Sequence, residues 1–513
     1  MSLPNECILE IFSKIKDDKN SLFSCLLVNR QWCRNAVPIL WSDPLCFPIK
    51  PSLIETYLST LNIEEKKKLA TYKIDIPDVA PLFSYGSYIM FFETTHLRSG
   101  INSWLRLHWM GYDKKLSFIT ANEENIKEDI TNALIKMFLQ SSNGFKKLIL
   151  NRHDLNLIPH PTILLDYSHG LSQLTSLEYS EDNVNNENFE LAVDLLTILS
   201  KICTTIQQIN FSLCDNKITN SCANIIRSQG NLKCLSFSGI RNDVEINVML
   251  LALNQSHFLS LRYITLNRCN FLAANIGLIS YCKNLIKLKI DSCKRMTLDH
   301  CTSLSKRPLR LKDLRLFNFR FHSEVASSLI TMWGSTLKTL HIDRIDTQEL
   351  STTLVNYCSN LDELSVKLFK RDIYYISLFL RQSSLKHLRI YIINWPDMNL
   401  MFLNKLCQIL PASLTYLELF NNIPAKNFTF LLKNCFHLVN LENFIIHIRS
   451  PIEFENFKEH FKYLKMFVEF HKMLKNVVIN ADQWYYSYNL QIIDEVVEDI
   501  KMLGVKCKYS FKK

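Results

Sequence analysis

A short pattern of apolar residues returns along most of this chain. Each copy has an apolar residue, two others, a second apolar residue, one other, and a third apolar residue. The thirteen copies are Phe145-Leu148-Leu150, Leu174-Leu177-Tyr179, Ile206-Ile209-Phe211, Leu232-Leu235-Phe237, Leu261-Ile264-Leu266, Leu285-Leu288-Ile290, Leu311-Leu314-Leu316, Leu337-Leu340-Ile342, Leu361-Leu364-Val366, Leu385-Leu388-Ile390, Leu414-Leu417-Leu419, Leu441-Phe444-Ile446 and Leu474-Val477-Ile479. Their middle residues lie 24 to 33 positions apart. A period of this length indicates a stacked array of repeats.

The spacing within each copy predicts a short strand, because residues two apart point to the same side of a strand. One repeat cannot bury its apolar face alone, so neighbouring strands should pair in a parallel sheet. The rest of each repeat would return as a helix or an irregular segment. Residues 324–331, for example, place Val325, Ala326 and Leu329 on one helical face. This is the leucine-rich-repeat pattern, and it predicts an α/β solenoid with a curved parallel sheet over residues 145–482.

Residues 3–43 predict a separate module of three short helices. Pro4 would start the first helix, in which Cys7, Ile8, Ile11, Phe12 and Ile15 form an apolar stripe. Residues 17–20 would form a turn, and residues 21–28 are apolar almost all round. A third helix would contain Trp32 and end near Leu40-Trp41. So short a module needs a partner or the rest of the chain to be stable.

The strings LPNECILEIF and LLVNRQWCRNAVPILW make residues 1–43 resemble an F-box. With the repeats, the chain resembles the F-box/leucine-rich-repeat substrate receptors of SCF-type cullin–RING ubiquitin ligases, of a diversified fungal type. The resemblance implies that the F-box docks on the Skp adaptor, while the repeats hold the protein to be ubiquitinated. Carried over by motif position, the adaptor-binding residues are Leu3, Pro4, Ile8, Ile11, Phe12, Leu26, Leu27, Val28 and Trp32. The charged stretch KIKDDKNSLF departs from the family pattern and leaves the contacts of Leu22 and Phe23 open.

Residues 44–144 predict a linker and an N-terminal cap for the repeats. Pro44, Pro48 and Pro51 mark the linker, and residues 52–72 predict one helix. The segment WLRLHWMG, with Trp104 and Trp109, is consistent with a degenerate first repeat. At the other end, residues 483–513 predict a C-terminal cap. It would contain a helix over residues 492–503, Gly504 as its C-cap, and an alternating segment over residues 505–511.

The strand positions that point away from the core should line the concave face of the repeats. In the central repeats they predict a basic and aromatic surface that binds the target protein. The residues are Tyr263, Lys287, Lys289, Arg315, Phe317, His341, Arg344, Lys367, His387, Arg389, Tyr391, Tyr416 and Phe420. Such a surface would suit an acidic or phosphorylated peptide. The alternative is that a chain of net charge +10 shows Lys and Arg on any exposed face.

Other classes of protein find little support in the sequence. No nucleophile motif, phosphate-binding loop or metal-ligand cluster is present, so we expect no enzyme activity, no cofactor and no metal. The sixteen cysteines are scattered and predict reduced packing residues. The absence of a signal sequence or long apolar run predicts a cytoplasmic or nuclear protein with no membrane partner. The positive charge is spread thinly over the linear sequence, with Lys66–Lys68 as its one dense cluster, so we do not expect nucleic acid as a partner. The remaining alternative is a repeat scaffold or inhibitor with no ligase role.

Overall fold

The structure is a computed structural model of the 513-residue chain. It describes residues 3–45, 49–72, 74, 76, 81–109, 116–181, 189–212, 216–318, 323–393, 400–423, 425–448, 457–481 and 497–511. The chain divides into two compact units, residues 1–261 and residues 262–513.

The first unit begins with the predicted three helices. They are α1 (Asn5–Lys14), α2 (Lys19–Cys25) and α3 (Arg30–Leu40). Pro4 is the N-cap residue of α1, as expected. The second helix starts at Lys19 and not at residue 21, because the Asp18 side chain accepts a hydrogen bond from the Ser21 amide and caps the helix there. In the same way, Asn29 accepts from the Trp32 amide at 2.9 Å and caps α3.

A small apolar core holds these helices together. Ile8, Phe12, Leu22, Cys25 and Ala36 are its buried members. The side chains of Ile15, Leu26, Trp32, Ile39 and Leu40 are partly buried against them. The rings of Phe12 and Trp32 meet edge to face with their centroids 5.4 Å apart. We call this part of the chain, residues 3–43, the helical module.

The segment after the helical module is mostly helical. Its elements are α4 (Pro51–Ser59), α5 (Ile63–Ala70), a 3-10 turn (Tyr85–Tyr88), β1 (Phe91–Glu93), α6 (Thr94–Trp109) and α7 (Leu116–Ser141). The single helix predicted over residues 52–72 is wrong. The Asn62 side chain accepts from the Glu65 amide at 2.8 Å and starts a new helix. Trp104 lies on α6, and the first strand of the sheet is β1, upstream of it.

The repeats of the first unit contribute β2 to β5 to a parallel sheet in chain order with β1. The strands are β2 (Lys147–Asn151), β3 (Ser176–Ser180), β4 (Gln208–Ser212) and β5 (Cys234–Ser238). The return segments include a 3-10 turn (Arg152–Leu157) and the helices α8 (Ile163–Asp166), α9 (Ser168–Ser172), α10 (Phe189–Ile202), α11 (Asn216–Arg227), α12 (Asp243–Leu251) and α13 (Gln255–Ser260). Leu148, Leu177, Ile209 and Leu235 stand side by side in the strand register.

The second unit repeats this arrangement. Its strands are β6 (Tyr263–Asn267), β7 (Lys287–Asp291), β8 (Asp313–Phe317), β9 (Thr339–Ile342), β10 (Glu363–Leu368), β11 (His387–Ile392), β12 (Tyr416–Ile423), β13 (Asn443–Ile448), β14 (Asn476–Ala481) and β15 (Lys506–Phe511), paired in parallel in chain order. Its return segments include the 3-10 turns Ile276–Tyr281 and Gly334–Thr336 and the helices α14 (Leu298–Leu304), α15 (Ser323–Trp333), α16 (Gln348–Tyr357), α17 (Ile373–Leu380), α18 (Leu400–Ile409), α19 (Ala425–Asn434) and α20 (Phe457–Phe470).

Burial confirms the predicted strand pattern. In β7, for example, Leu288 and Ile290 are buried while the residues between and beside them are only half-buried. In α15, Val325, Ala326 and Leu329 are all buried, as the helical periodicity predicts. Each unit therefore has the leucine-rich-repeat fold of stacked strands and return segments around a continuous apolar core.

The two ends of the repeat region differ in how they are covered. At the first strand, the Ser42 carbonyl of the helical module accepts hydrogen bonds from the Met90 and Phe91 amides, at 2.9 and 3.1 Å. At the other end, residues 497–502 are helical and Gly504 has a φ of +80°, as expected of a C-cap glycine. Strand β15 then pairs with β14 in the same register as the earlier strands, so it extends the sheet. The rest of the predicted C-terminal cap, residues 483–496, lies outside the described residues.

Candidate functional site

The helical module exposes a large share of its apolar side chains. Of the nine residues predicted to bind an adaptor, Leu3, Pro4, Ile11, Leu27 and Val28 are exposed. Leu27 is 81% exposed, although a leucine normally stabilises a fold by being buried. Exposed apolar residues concentrated on a small module are typical of a protein-interaction surface.

The other four predicted adaptor residues belong to the module's own packing. Ile8 and Phe12 are completely buried in its core, and Leu26 and Trp32 are partly buried against that core. Because α1 follows a helical period, Ile8 and Phe12 face inward while Leu9 and Ile11 face solvent. A partner would therefore contact the exposed residues, and the buried ones would support them.

Phe23 is an exposed apolar residue that the sequence left open. It is 63% exposed, whereas its neighbour Leu22 is buried in the core. Adjacent residues on a helix point in different directions, so only one of this pair can face the core. The sequence could therefore have distinguished Leu22 from Phe23 only with the orientation of α2, which the structure supplies.

Side-chain hydrogen bonds hold the first residues of the module in place. The Gln31 side chain on α3 donates to the Leu3 carbonyl at 2.9 Å and to the Asn5 side-chain oxygen at 3.0 Å. The Asn35 side chain donates to the same Asn5 oxygen at 3.1 Å. The segment that carries Leu3 and Pro4 is thus fixed against α3.

The second candidate surface is the outward face of the strands in the second unit. Nearly all the predicted target-binding residues lie on strands β6 to β12. Arg344 is different, because it lies beyond the end of β9. Its guanidinium donates to both carboxylate oxygens of Asp372, at 2.7 and 3.0 Å. Asp372 is buried, so Arg344 holds two repeats together.

This strand face is not the basic surface that the sequence predicted. Acidic side chains at Asp291, Asp313 and Glu363 lie on the same strands as the cations, and Glu418 lies beside Arg389 on the neighbouring strand. The cations are paired with carboxylates, in the ion pairs Lys287–Asp313 (3.0 Å), Lys289–Asp291 (3.1 Å), Arg315–Asp313 (2.9 Å), Lys367–Asp343 (2.8 Å), Arg389–Glu418 (3.1 Å) and Arg389–Glu363. The prediction failed here because it considered the cations without the carboxylates on the same strand and in the neighbouring repeats.

Side chains on this face also bond to one another around Glu418. The Tyr416 hydroxyl donates to Glu418 at 2.7 Å, and burial together with this bond raises the pKa of Tyr416 to about 12. Burial opposes ionisation of Glu418, but hydrogen bonds from His447 and Tyr416 and the charge of Arg389 outweigh it and lower its pKa. Glu418 is therefore a carboxylate held inside a network of three partners.

Stacked rings cross three strands of the same face. Tyr391 on β11 stacks on Phe420 on β12 at 4.1 Å, and Phe420 stacks on His447 on β13 at 4.4 Å. Tyr391 and Phe420 were predicted for this face, whereas His447 was missed. Because these three rings stack on one another, they stabilise the packing of three neighbouring repeats.

Within the part of the chain that the structure describes, no group of three His, Cys, Asp or Glu side chains is arranged to hold a metal ion. The recurring cysteines Cys203, Cys282 and Cys358 are buried, and burial raises the pKa of each thiol to about 12. They are protonated packing residues at neutral pH. No helix of the described residues is both long and apolar enough to span a bilayer.

Comparison with known proteins bears on the helical module. Residues 1–46 match the family model described as F-box-like. The N-terminal region of this chain is F-box-like. It is joined to leucine-rich repeats, and both are folds that typically mediate interactions between proteins. No curated protein matches the chain.

Two solved structures have a partial likeness to this chain. The leucine-rich repeat-containing protein LegL7 of Legionella pneumophila is 14% identical, with 71% of this chain and 90% of that chain covered and a TM-score of 0.29. The internalin inlF of Listeria monocytogenes is 13% identical, with 66% and 87% covered and a TM-score of 0.29. The assignment of the repeats rests on the strand register and core described above.

Proposed function

We propose that this chain is a substrate-recognition subunit of an SCF-type ubiquitin ligase. In this role the F-box-like module docks on the Skp adaptor, and the adaptor links it to a cullin–RING ligase. The repeats bind the target protein. The observation that carries the proposal is the exposed apolar surface of the F-box-like module, which includes Phe23, Leu27 and Val28.

An adaptor would remove this surface from water. Each large apolar side chain that becomes buried contributes roughly 1.5–3 kcal/mol. Leu27 and Val28 lie between α2 and α3, where both side chains are exposed and neither belongs to the module's core. They can therefore contribute to docking without contributing to the stability of the module.

The adaptor-binding prediction is tested with the double variant Leu27→Asp/Val28→Asp. We expect co-purification of a Skp adaptor with the full chain to fall by more than about tenfold, because two charges would enter an apolar interface. Trp32 is avoided as a test position, since its ring packs on Phe12 and its loss would disturb the core.

The matched control is Val244→Asp/Leu251→Asp on α12, which makes the same change at two apolar residues that are 61% and 64% exposed. This variant should retain the adaptor. Equal retention by both variants would contradict the docking surface, and a chain that never captures an adaptor would favour the alternative of a repeat scaffold or inhibitor without a ligase role.

A further inference from the structure

Residues 281–312 contain nine Lys or Arg residues but only two acidic residues, Asp291 and Asp299. This short stretch therefore holds most of the chain's net charge of +10. The sequence shows this excess of positive charge, but which of these residues lie together depends on how the repeats stack. The earlier expectation that the charge is thinly spread is wrong for this part of the chain.

Hydrogen bonds between repeats show how these residues come together. The Lys312 amide donates to the Ile286 carbonyl, and the Lys338 amide donates to the Lys312 carbonyl, both at 2.8 Å. The residues immediately before successive strands thus lie in a row, at the edge where the strands begin.

The turns that precede β7 and β8 meet at this same edge. The Arg307 guanidinium lies 4.1 Å from the centre of the Tyr281 ring, which places Arg307 of one repeat against Tyr281 of the previous one. We define the basic edge as Lys283, Lys306, Arg307, Arg310 and Lys312, all of which are exposed.

The cations of the basic edge differ from those of the strand face because no carboxylate neutralises their charge among the described residues. Within the described residues, no carboxylate forms an ion pair with any of its five members. Further along the same row, by contrast, Lys338 and Lys386 share Asp362, at 3.2 and 3.3 Å. Neighbouring cations without counter-charges repel one another, and an anionic ligand would relieve that repulsion.

We propose that the basic edge is a docking site for an acidic segment of a partner protein, a short run of Asp and Glu residues. This proposal gives the chemistry of the target that the repeats would bind, and it rests on the proposed function. Successive strands are about 4.8 Å apart. The cations of the two repeats are therefore spaced so that a few adjacent carboxylates of one acidic segment can contact them. Nucleic acid fits less well, because one face of the Tyr281 ring is already covered by Arg307 and is not open for base stacking.

The test measures binding of a fluorescent Asp/Glu-rich peptide to the full chain by anisotropy, with no adaptor present. The variant Arg310→Glu/Lys312→Glu should bind about tenfold more weakly, because two attractive charges become repulsive. The control Lys370→Glu/Arg371→Glu makes the same change at two exposed residues that follow β10, at the opposite end of the strands, and should bind like the unaltered chain. A second variant, Lys283→Glu/Lys306→Glu, should reproduce the loss if the first one folds poorly.

Equal losses in the control and the two edge variants would overturn the proposal, as would unchanged binding in both edge variants. Single-stranded DNA and vesicles containing phosphatidylserine serve as further probes. Tighter, edge-dependent binding of either probe would replace the acidic segment by that class of partner. Adaptor capture is measured separately, so failure of the F-box role leaves the peptide result interpretable.

Discussion

His341 lies at an outward strand position but is only 5% exposed. Its imidazole is surrounded by charged groups from neighbouring strands, namely Lys287, Asp313, Arg315, Glu363 and Arg389. Burial, aided by the positive charge of Arg315, lowers the pKa of the His341 imidazole to about 4. Glu363, at 3.6 Å, is already paired with Arg389 and does not offset the burial.

From the lowered pKa of His341 we predict that the stability of the folded chain depends on pH. The folded chain holds His341 neutral down to about pH 4, whereas the unfolded chain protonates it near pH 6.5. The stability from this group is therefore complete above pH 6.5 and is lost as the pH falls toward 4, by up to about 1.4 kcal/mol per pH unit. Urea unfolding of the chain and of His341→Gln at pH 7, 6 and 5 would measure it.

The free energy of unfolding should fall more steeply in the unaltered chain than in His341→Gln. His257 and His471 are also buried with lowered pKa values, but they are present in both proteins and their effect cancels in the difference. Parallel pH profiles would show that His341 is not held neutral by its surroundings.

Gln229 is a buried residue whose role the sequence did not reveal. Its side chain accepts from the Ile206 amide and donates to the Cys203 and Ile225 carbonyls, each at 2.8 Å. These groups lie 4 to 26 residues away in the chain. A single glutamine among polar turn residues carries no signal for the contacts with Cys203 and Ile206, because they exist only after two repeats stack.

At the scale of elements, the junction between the helical module and the first strand is packed and hydrogen-bonded. Trp41, just after α3, stacks on Tyr85 at 3.8 Å and meets Tyr57 edge to face at 5.5 Å. The neighbouring Ser42 carbonyl accepts from two amides at the start of β1. The module therefore pairs with the start of the first strand, whose amides would otherwise be unpaired at the edge of the sheet.

We expect Trp41→Ala to lower the free energy of unfolding of the full chain by about 2 kcal/mol, since it removes two aromatic contacts and leaves a cavity. Trp41→Phe should recover part of this loss by restoring a ring. Chemical denaturation of both variants measures the difference. Equal stability of Trp41→Ala and the unaltered chain would show that the junction is held by the backbone contacts alone.

The elements also show which local features a sequence reveals. The strands could be predicted because their apolar residues alternate with a period of two within a longer repeat. The ends of helices could not, because they depend on single capping side chains such as Asp18 and Asn62. An Asn or Asp is common in any polar stretch, so its capping role becomes visible only with the backbone around it.

At the scale of the whole molecule, most of the described cysteines lie in the apolar core. Most of the thiols that the structure describes are buried in the repeats, while Cys7 on α1 is exposed. A thiol whose pKa is about 12 is ionised in only about one molecule in ten thousand at pH 8. Burial further denies reagents access to it.

Alkylation with iodoacetamide at pH 8 should therefore modify Cys7 in the folded chain and spare Cys203, Cys282 and Cys358. All four should react after unfolding in urea. Peptide mass spectrometry would locate the modified thiols. Rapid labelling of Cys282 in the folded chain would mean that the repeat core opens easily around it.

The sequence by itself determined the repeats, their strands and the residues of their core, because burial of an apolar face is written in periodic positions. It also determined the three helices of the F-box-like module. Only the tertiary structure decided which charges are neutralised: Arg389 meets Glu363 and Glu418 from neighbouring repeats, while the basic edge has no such partner among the described residues. The physical reason is distance along the chain. The partners of Arg389 are 26 and 29 residues away and become its neighbours only when the repeats stack, so these pairs cannot be read from a local pattern.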